Sequence, residues 1–251
     1  AAALDYEQRL TKESTVLVVD LGGGTSDFTV VRLGPERMRH SDRSRDILAT
    51  TGVHIGGTDY DRQLNLSQVM PLLGYKHTGP EQREVPSRVF FDLATWHLIH
   101  WQYQPKAIAH AKTLRSNYSD LRLHERLMQV LTERHGHLMA HEVEQAKIRC
   151  SVSRADTGID LSVMAPDLQA RLSAHDMQTQ LQDLLTRTVA CARKCVQSAG
   201  LSDASLDAIY LTGGSSALST FQQTLQAAFA GVPVVEGDLF GGVALGLAYS
   251  R

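Results

Sequence analysis

An α/β fold, a sheet body with a helical segment set into it, is predicted by three features of the sequence. The first is Val16-Leu17-Val18-Val19, an unbroken aliphatic run typical of a strand buried on both faces. The second is glycine punctuation: Gly22-Gly23-Gly24, Gly56-Gly57 and Gly213-Gly214 each follow a strand-like run. The third is the stretch from Phe90 to about Arg149, which reads as helix almost throughout and separates two strand-bearing parts.

Residues 1–11, rich in Ala and Leu, read as the end of a helix. After the first glycines, Phe28 to Leu33 reads as the returning arm of a hairpin, closed by Gly34-Pro35. A third strand over Ile47 to Thr51 leads through Gly52-Val53-His54-Ile55-Gly56-Gly57 to a helix starting near Thr58, where Thr58 and Asp61 have capping-box spacing with Asp in place of Glu. Residues 71–90, broken by Pro71, Gly74, Gly79, Pro80 and Pro86, read as a connection. The helical stretch is interrupted at Gln104-Pro105 and at Gly136. A short strand, Gly158 to Met164, precedes a long amphipathic helix with Met177, Leu181, Leu184, Leu185, Thr188, Ala192 and Val196 on one side and Gly200 at its end. Leu206 to Thr212 reads as a buried strand, 217–230 as a helix, Val232 to Val235 as a last strand, and Gly241 to Tyr249 as a small-residue helix. The expected division is 12–66 with 151–251 as a sheet subdomain and 67–150 as a helical insertion.

A formal charge of −2 gives no electrostatic reason to expect nucleic acid or an anionic membrane as partner. The chain lacks the run of about 18 apolar residues that a membrane-spanning helix needs. Three cysteines, Cys150, Cys191 and Cys195, suit a reducing, cytoplasmic setting without a disulfide framework, and the last two read as small buried side chains on one helix face. The start, without Met or a signal-peptide profile, leads to the expectation that the chain begins inside a longer gene product.

Three successive glycines between two strands need a reason, since each weakens ordered structure by roughly 0.5–1 kcal/mol relative to Ala. Without Cβ atoms, Gly22, Gly23 and Gly24 let backbone N–H groups point at an anion and let a phosphate approach closely. Thr25 adds a hydroxyl donor, and Asp20 and Asp27 place carboxylates at both ends of the loop, suited to the water shell of Mg²⁺. Leu211-Thr212-Gly213-Gly214-Ser215-Ser216 puts N–H groups at a helix start, and Ile55-Gly56-Gly57-Thr58 repeats the logic. No GxxxxGK[ST] occurs, so the sequence is not that of a P-loop protein. His135, His137 and His141 cluster at zinc-like spacing but lack a third ligand at reliable spacing, so they read as a solvated helix end. Trp96, Trp101 and Tyr103 read as packing the helical insertion.

Val19-Asp20-Leu21-Gly22-Gly23-Gly24-Thr25-Ser26-Asp27 resembles the second phosphate motif of the actin/Hsp70/sugar-kinase superfamily in its Hsp70 form. Gly52 to Asp61 is similar to the Hsp70 segment that follows, Leu211 to Ser216 to its adenosine motif, and Glu144-Gln145-Ala146-Lys147 with Ser151 to its ribose- and adenine-contacting helix. Phe91-Asp92-Leu93-Ala94-Thr95-Trp96-His97 and Met70-Pro71-Leu72-Leu73-Gly74 look most like the YegD branch of Hsp70-related proteins. The resemblance implies an actin-like ATPase (ribonuclease H-like) lobe that binds ATP/ADP with Mg²⁺. It implies phosphate contacts from Gly22, Gly23, Gly24, Thr25, Gly57, Gly213, Gly214 and Ser215. Asp20, Thr25 and Asp27 would be catalytic, with Asp20 ordering Mg²⁺ through water. Glu144, Lys147, Ile148, Ser151, Ser216 and Ala217 would surround the adenosine, Ile148 and Ala217 standing where the family carries adenine-stacking arginines.

The family's first phosphate motif, Asp-x-Gly-Thr, and its catalytic Lys do not match any part of the sequence, and residues 1–11 resemble the helix ending the N-terminal lobe. The resemblance is therefore to the second lobe alone: a IIA-like sheet subdomain and a IIB-like helical one. It implies an ATPase only when completed by the N-terminal lobe of the same protein, with protein clients or co-chaperones as further partners. Competing readings are an actin-like scaffold or filament protein and a binding module that has lost hydrolysis.

Overall fold

Four aliphatic residues in a row leave a strand no solvent-facing side, and Val16, Leu17 and Val19 are all fully buried in the middle of a sheet. The structure, a computed structural model, describes residues 2–40, 42–166 and 168–239. The helix expected over 241–249 lies outside them. In chain order the main elements are α1 (Ala2–Glu7), β1 (Ser14–Leu21), β2 (Ser26–Leu33), β3 (Ile47–Val53), α2 (Gly57–Leu64), α3 (Arg88–Ala94), α4 (Pro105–Thr113), α5 (Leu121–Glu133) and α6 (Gly136–Ser153). Then follow β4 (Thr157–Asp160), β5 (Gln169–Leu172), α7 (Ala174–Ser198), β6 (Ala208–Thr212), α8 (Ser219–Ala228) and β7 (Val234–Glu236). One compact unit takes the described residues within Ala1–Gly57 and Gln182–Arg251; the other is Thr58–Leu181.

The first unit is built on a mixed five-stranded sheet in the order β3-β2-β1-β6-β7. β1, β2 and β3 form an antiparallel meander, while β6 joins β1, and β7 joins β6, in parallel. α1 covers one patch of this sheet: Ala3, Tyr6 and Leu10 pack on Val16, Val18, Val31, Leu33 and Tyr210. Tyr6 stacks on Tyr210 at 4.9 Å between ring centroids. α1 is pinned by charge as well as by packing. Fully buried Glu7 accepts from Gly34 N at 2.8 Å and from both terminal nitrogens of Arg43 at 2.8 and 3.0 Å. Arg43 and Arg37 in turn share Asp46. Cys195 is buried with its thiol on Phe28 O, and half-buried Cys191 meets the Thr51 hydroxyl, so the i, i+4 pair lies along β2 and β3 as free thiols.

The second unit is helical with one small hairpin. Pro105 opens α4, where its missing N–H costs nothing, and Asp120 caps α5 by accepting from Arg122 N. α6 begins at Gly136, where a Cβ would come within 2.7 Å of Ile99 and Tyr103 atoms. The sequence divides the chain at 66/67 and 150/151; the compact units divide it at 57/58 and 181/182. The hairpin accounts for the difference at the second boundary: β4 pairs only with β5 as a separate two-stranded sheet and packs on α6. The expected strand 158–164 therefore ends at Asp160, and β5 was not foreseen, because the alternation in Gln169–Leu172 spans only four residues.

α2 starts at Gly57, one residue before the expected Thr58, and Asp61 within it pairs with Lys147. Two local expectations are corrected. The helix expected from 217 begins at Ser219, after a 3₁₀ turn over Gly214–Ala217 that ends in extended backbone at Leu218. Trp96 and Trp101 are 58% and 57% exposed, because the 3₁₀ segment Trp96–Tyr103 buries Ile99 as its inward side chain. Among the described residues no helix is long and apolar enough to cross a membrane.

Candidate phosphate site

All three glycine segments lie in the sheet unit and meet at one atom, the Gly22 carbonyl oxygen. Gly22 N donates to Thr25 O at 2.9 Å, closing a tight turn between β1 and β2. Gly57 N and the Ser215 hydroxyl each donate to Gly22 O at 3.0 Å. Register explains the convergence. β6 runs parallel beside β1 with Asp20 opposite Thr212, so the chain leaving β6 at Gly213-Gly214 emerges beside the turn leaving β1. β3 pairs with β2 so that Val53 lies opposite Ser26, and Ser26 Oγ fixes the onward chain by donating to Ile55 O at 2.6 Å.

Two glycines are dictated by this crowding. A Cβ on Gly56 would lie 2.5 Å from Gly23 O and 2.7 Å from Gly24 N. Gly213 has φ +81° and presses on Leu21 O, with a Cβ position 2.7 Å from Asp20 Oδ1. Gly23, Gly24 and Thr25 are exposed at the tip. A Cβ on Gly24 would meet nothing within 4 Å, so no neighbour inside the chain requires glycine there.

Asp20 and Asp27 are direct cross-strand partners. Burial, and then the charge of Asp27, push the Asp20 carboxyl pKa above the usual carboxylate range. Thr25 Oγ1 donates to Asp27 Oδ2 at 3.0 Å. Two facing carboxylates held against their mutual repulsion suit a divalent cation that keeps most of its water shell. Among the described residues no group of three or more His, Cys, Asp or Glu is placed to hold a metal. His135 contacts Glu133 at 2.9 Å.

The sequence did not single out Gly52. It sits opposite Asp27 across β2 and β3, and a Cβ there would be 2.7 Å from Asp27 Oδ1. A glycine inside a strand pattern was the available signal. Gly57 and Ser215, both expected on phosphate, also brace the Gly22 turn. Ser216 Oγ donates back to Gly213 O at 2.7 Å, and Ala217 is exposed. In the helical unit, Glu144, Lys147, Ile148 and Ser151 follow i, i+3, i+4, i+7 on α6 and share a face. Glu144 and Ile148 are exposed; Lys147 and Ser151 are buried, with Lys147 Nζ 2.8 Å from Asp61 Oδ1.

The first unit is thus an α/β domain whose mixed sheet carries a glycine turn with flanking carboxylates and two further glycine bends. The family model for the Hsp70 protein matches residues 116–249, more than half of the sequence, and the chain belongs to the Hsp70 family. It is similar to Chaperone protein DnaK of Thermus thermophilus, at 26% identity over 235 residues, covering 90% of this chain and 29% of that protein. Chaperone protein dnaK3 of Synechococcus elongatus is 25% identical over 233 residues, covering 90% of this chain and 24% of that protein. Chaperone protein dnaK of Gracilaria tenuistipitata var. liui is 26% identical over 233 residues, covering 90% and 28%. The chain thus spans less than a third of the length of these curated relatives.

Proposed function

We propose that this chain is the ATP/ADP-binding second lobe of an Hsp70-related, YegD-like chaperone-family ATPase, with a IIA-like sheet body and a IIB-like helical one. The observation that carries the reading is the meeting of three glycine segments on Gly22 O beside the Asp20–Asp27 pair. The tip of the turn, with Gly23, Gly24 and Thr25, would face the phosphates, and Gly213 and Gly214 the α-phosphate side. Glu144, Lys147, Ile148 and Ser151 would supply the ribose and base contacts of the helical unit, and Ser216 and Ala217 the adenosine contacts of the sheet unit. Mg²⁺ bound through water would neutralise phosphate charge and organise the attacking water. Asp20 would hold that hydration shell and Asp27, through Thr25, would fix the loop. Turnover would depend on groups from the N-terminal lobe of the same protein, in line with the fraction of the relatives that this chain spans. Clients or co-chaperones, and a reducing cytoplasmic setting suited to three free cysteines, belong to the same proposal. The filament reading is the less favoured one, since the curated relatives are chaperones by name.

Thermal unfolding with and without Mg-ADP or Mg-ATP tests this. Binding to the native state at a hundred times Kd adds about 2.7 kcal/mol of stability. The expected result is a saturable rise in Tm with negligible hydrolysis by this lobe alone. No change at millimolar Mg-nucleotide would sink the proposal. Asp20→Asn supplies a signed companion. The folded-state pKa of Asp20 is raised, so at neutral pH its ionised form is disfavoured in the fold, and that penalty is relieved only as pH falls toward the unfolded value. Asp20→Asn should therefore raise the ligand-free Tm at pH 7 while losing the Mg-nucleotide response.

A further inference from the structure

The helical unit contains a cavity of about 320 Å³ lined by Thr58, Asp61, Asn65, Trp96, His137 and Glu144, among others. Its volume is that of a small ligand site. Asn65 is 1% exposed, and its side-chain Oδ1 has no hydrogen-bond partner. Leaving such an atom empty costs about 1–3 kcal/mol, so its presence calls for an explanation. Asn65 also begins a π-helical turn, Asn65–Val69, the kind of local irregularity that re-aims side chains.

The charges at the cavity are unbalanced. Lys147 Nζ pairs with Asp61 Oδ1 at 2.8 Å. Glu144 is exposed and has no ion pair among the described residues. Two carboxylates therefore face one ammonium. Burial pushes the Asp61 carboxyl pKa up against the pull of Lys147, and Glu144 adds to the rise. Trp96 supplies an exposed indole, held edge-to-face with His137 at 4.9 Å.

We infer that this cavity binds a guanidinium group, stacked on Trp96 and hydrogen-bonded to the Asp61 carboxylate and the Asn65 amide. A planar fork matches a carboxylate in two bonds and lies flat on an indole, which an ammonium does less well. The source is either free arginine or the arginine side chain of a protein segment. The cavity does not include the glycine turn but shares Glu144 with the proposed ribose contacts; the guanidinium contacts at Asp61, Asn65 and Trp96 do not depend on nucleotide binding.

The chain has two tryptophans, so in a Trp101→Phe background the emission reports Trp96 alone. N-acetyl-arginine methylamide should change that emission saturably. Its uncharged citrulline counterpart should bind at least about tenfold more weakly, and the lysine counterpart should fall between them. Free L-arginine binding more tightly than the capped amide and a capped peptide with one central arginine assigns the source to the free amino acid; the capped peptide binding more tightly than free L-arginine assigns it to a protein segment. Asp61→Asn and Asn65→Leu should each weaken binding by about tenfold or more. Calorimetry on Trp96→Leu, a change at an exposed side chain, gives the same check should either of those variants fail to fold. A citrulline compound binding as well as arginine, no saturable response, or unchanged affinity in folded Asn65→Leu and Trp96→Leu proteins would each overturn the inference.

Discussion

Arg43→Met is expected to lower the unfolding free energy by about 3–5 kcal/mol, the range for removing one partner of a buried ion pair. Glu7 is fully buried, and Arg43 supplies two of its hydrogen bonds; without the guanidinium, the carboxylate keeps only Gly34 N. The same change takes a cation from Asp46, whose carboxyl pKa lies below the usual range because Arg43 and Arg37 outweigh the effect of burial. Asp46 thus contributes stability that is present above the unfolded carboxylate pKa and is lost as pH falls through its lower folded value. In Arg43→Met that dependence on acid should weaken. Denaturant unfolding at neutral and acid pH measures both effects. The double variant Glu7→Leu with Arg43→Met should recover part of the loss, because it removes the stranded charge together with its partner. A single-variant loss below about 1 kcal/mol would mean that water reaches Glu7 and that the pair behaves as a surface salt bridge.

That network shows where reading the sequence stops. Residues 1–11 were legible as a helix end from propensity, but nothing in a periodic pattern links Glu7 to an arginine 36 residues away. Strands were read well where burial on both faces imposes a continuous aliphatic run, as in β1 and β6. β5 was missed because its strict alternation runs for only four residues. The glycine cradle was legible as three separate hints, since glycine is costly unless something requires it. Why each glycine is required was not legible. Gly56 is forced by Gly23, Gly213 by Leu21, and Gly52 by Asp27, all contacts created by strand register rather than by local sequence. Trp96 and Trp101 were misplaced for a related reason: large aromatic residues are assigned to a core by default, and here a 3₁₀ segment turns them outward.

Gly213→Ala and Gly24→Ala are expected to separate the structural glycines from those left for a ligand. At Gly213 the added methyl meets a left-handed backbone with φ +81°, the Leu21 carbonyl and an Asp20 oxygen. Held backbone strain costs about 1–3 kcal/mol, and forcing a methyl into a filled space typically adds about 1–3 kcal/mol. The Leu21 carbonyl cannot yield cheaply, because it belongs to the central strand, whereas the Asp20 carboxylate can rotate aside. Gly213→Ala should therefore lower stability by several kcal/mol and abolish any Mg-nucleotide shift through loss of the cradle's shape. Gly24→Ala should leave ligand-free stability within about 0.5 kcal/mol, the usual range for exposed positions, because its methyl meets no atom of the chain. It should nonetheless lose most of the nucleotide-dependent rise in Tm, since the methyl would stand where a phosphate must approach the backbone. Unchanged stability in Gly213→Ala would refute the crowding read from the strands. A full nucleotide response in Gly24→Ala would place the phosphates away from the tip of the turn, while leaving the structural role of Gly213 intact.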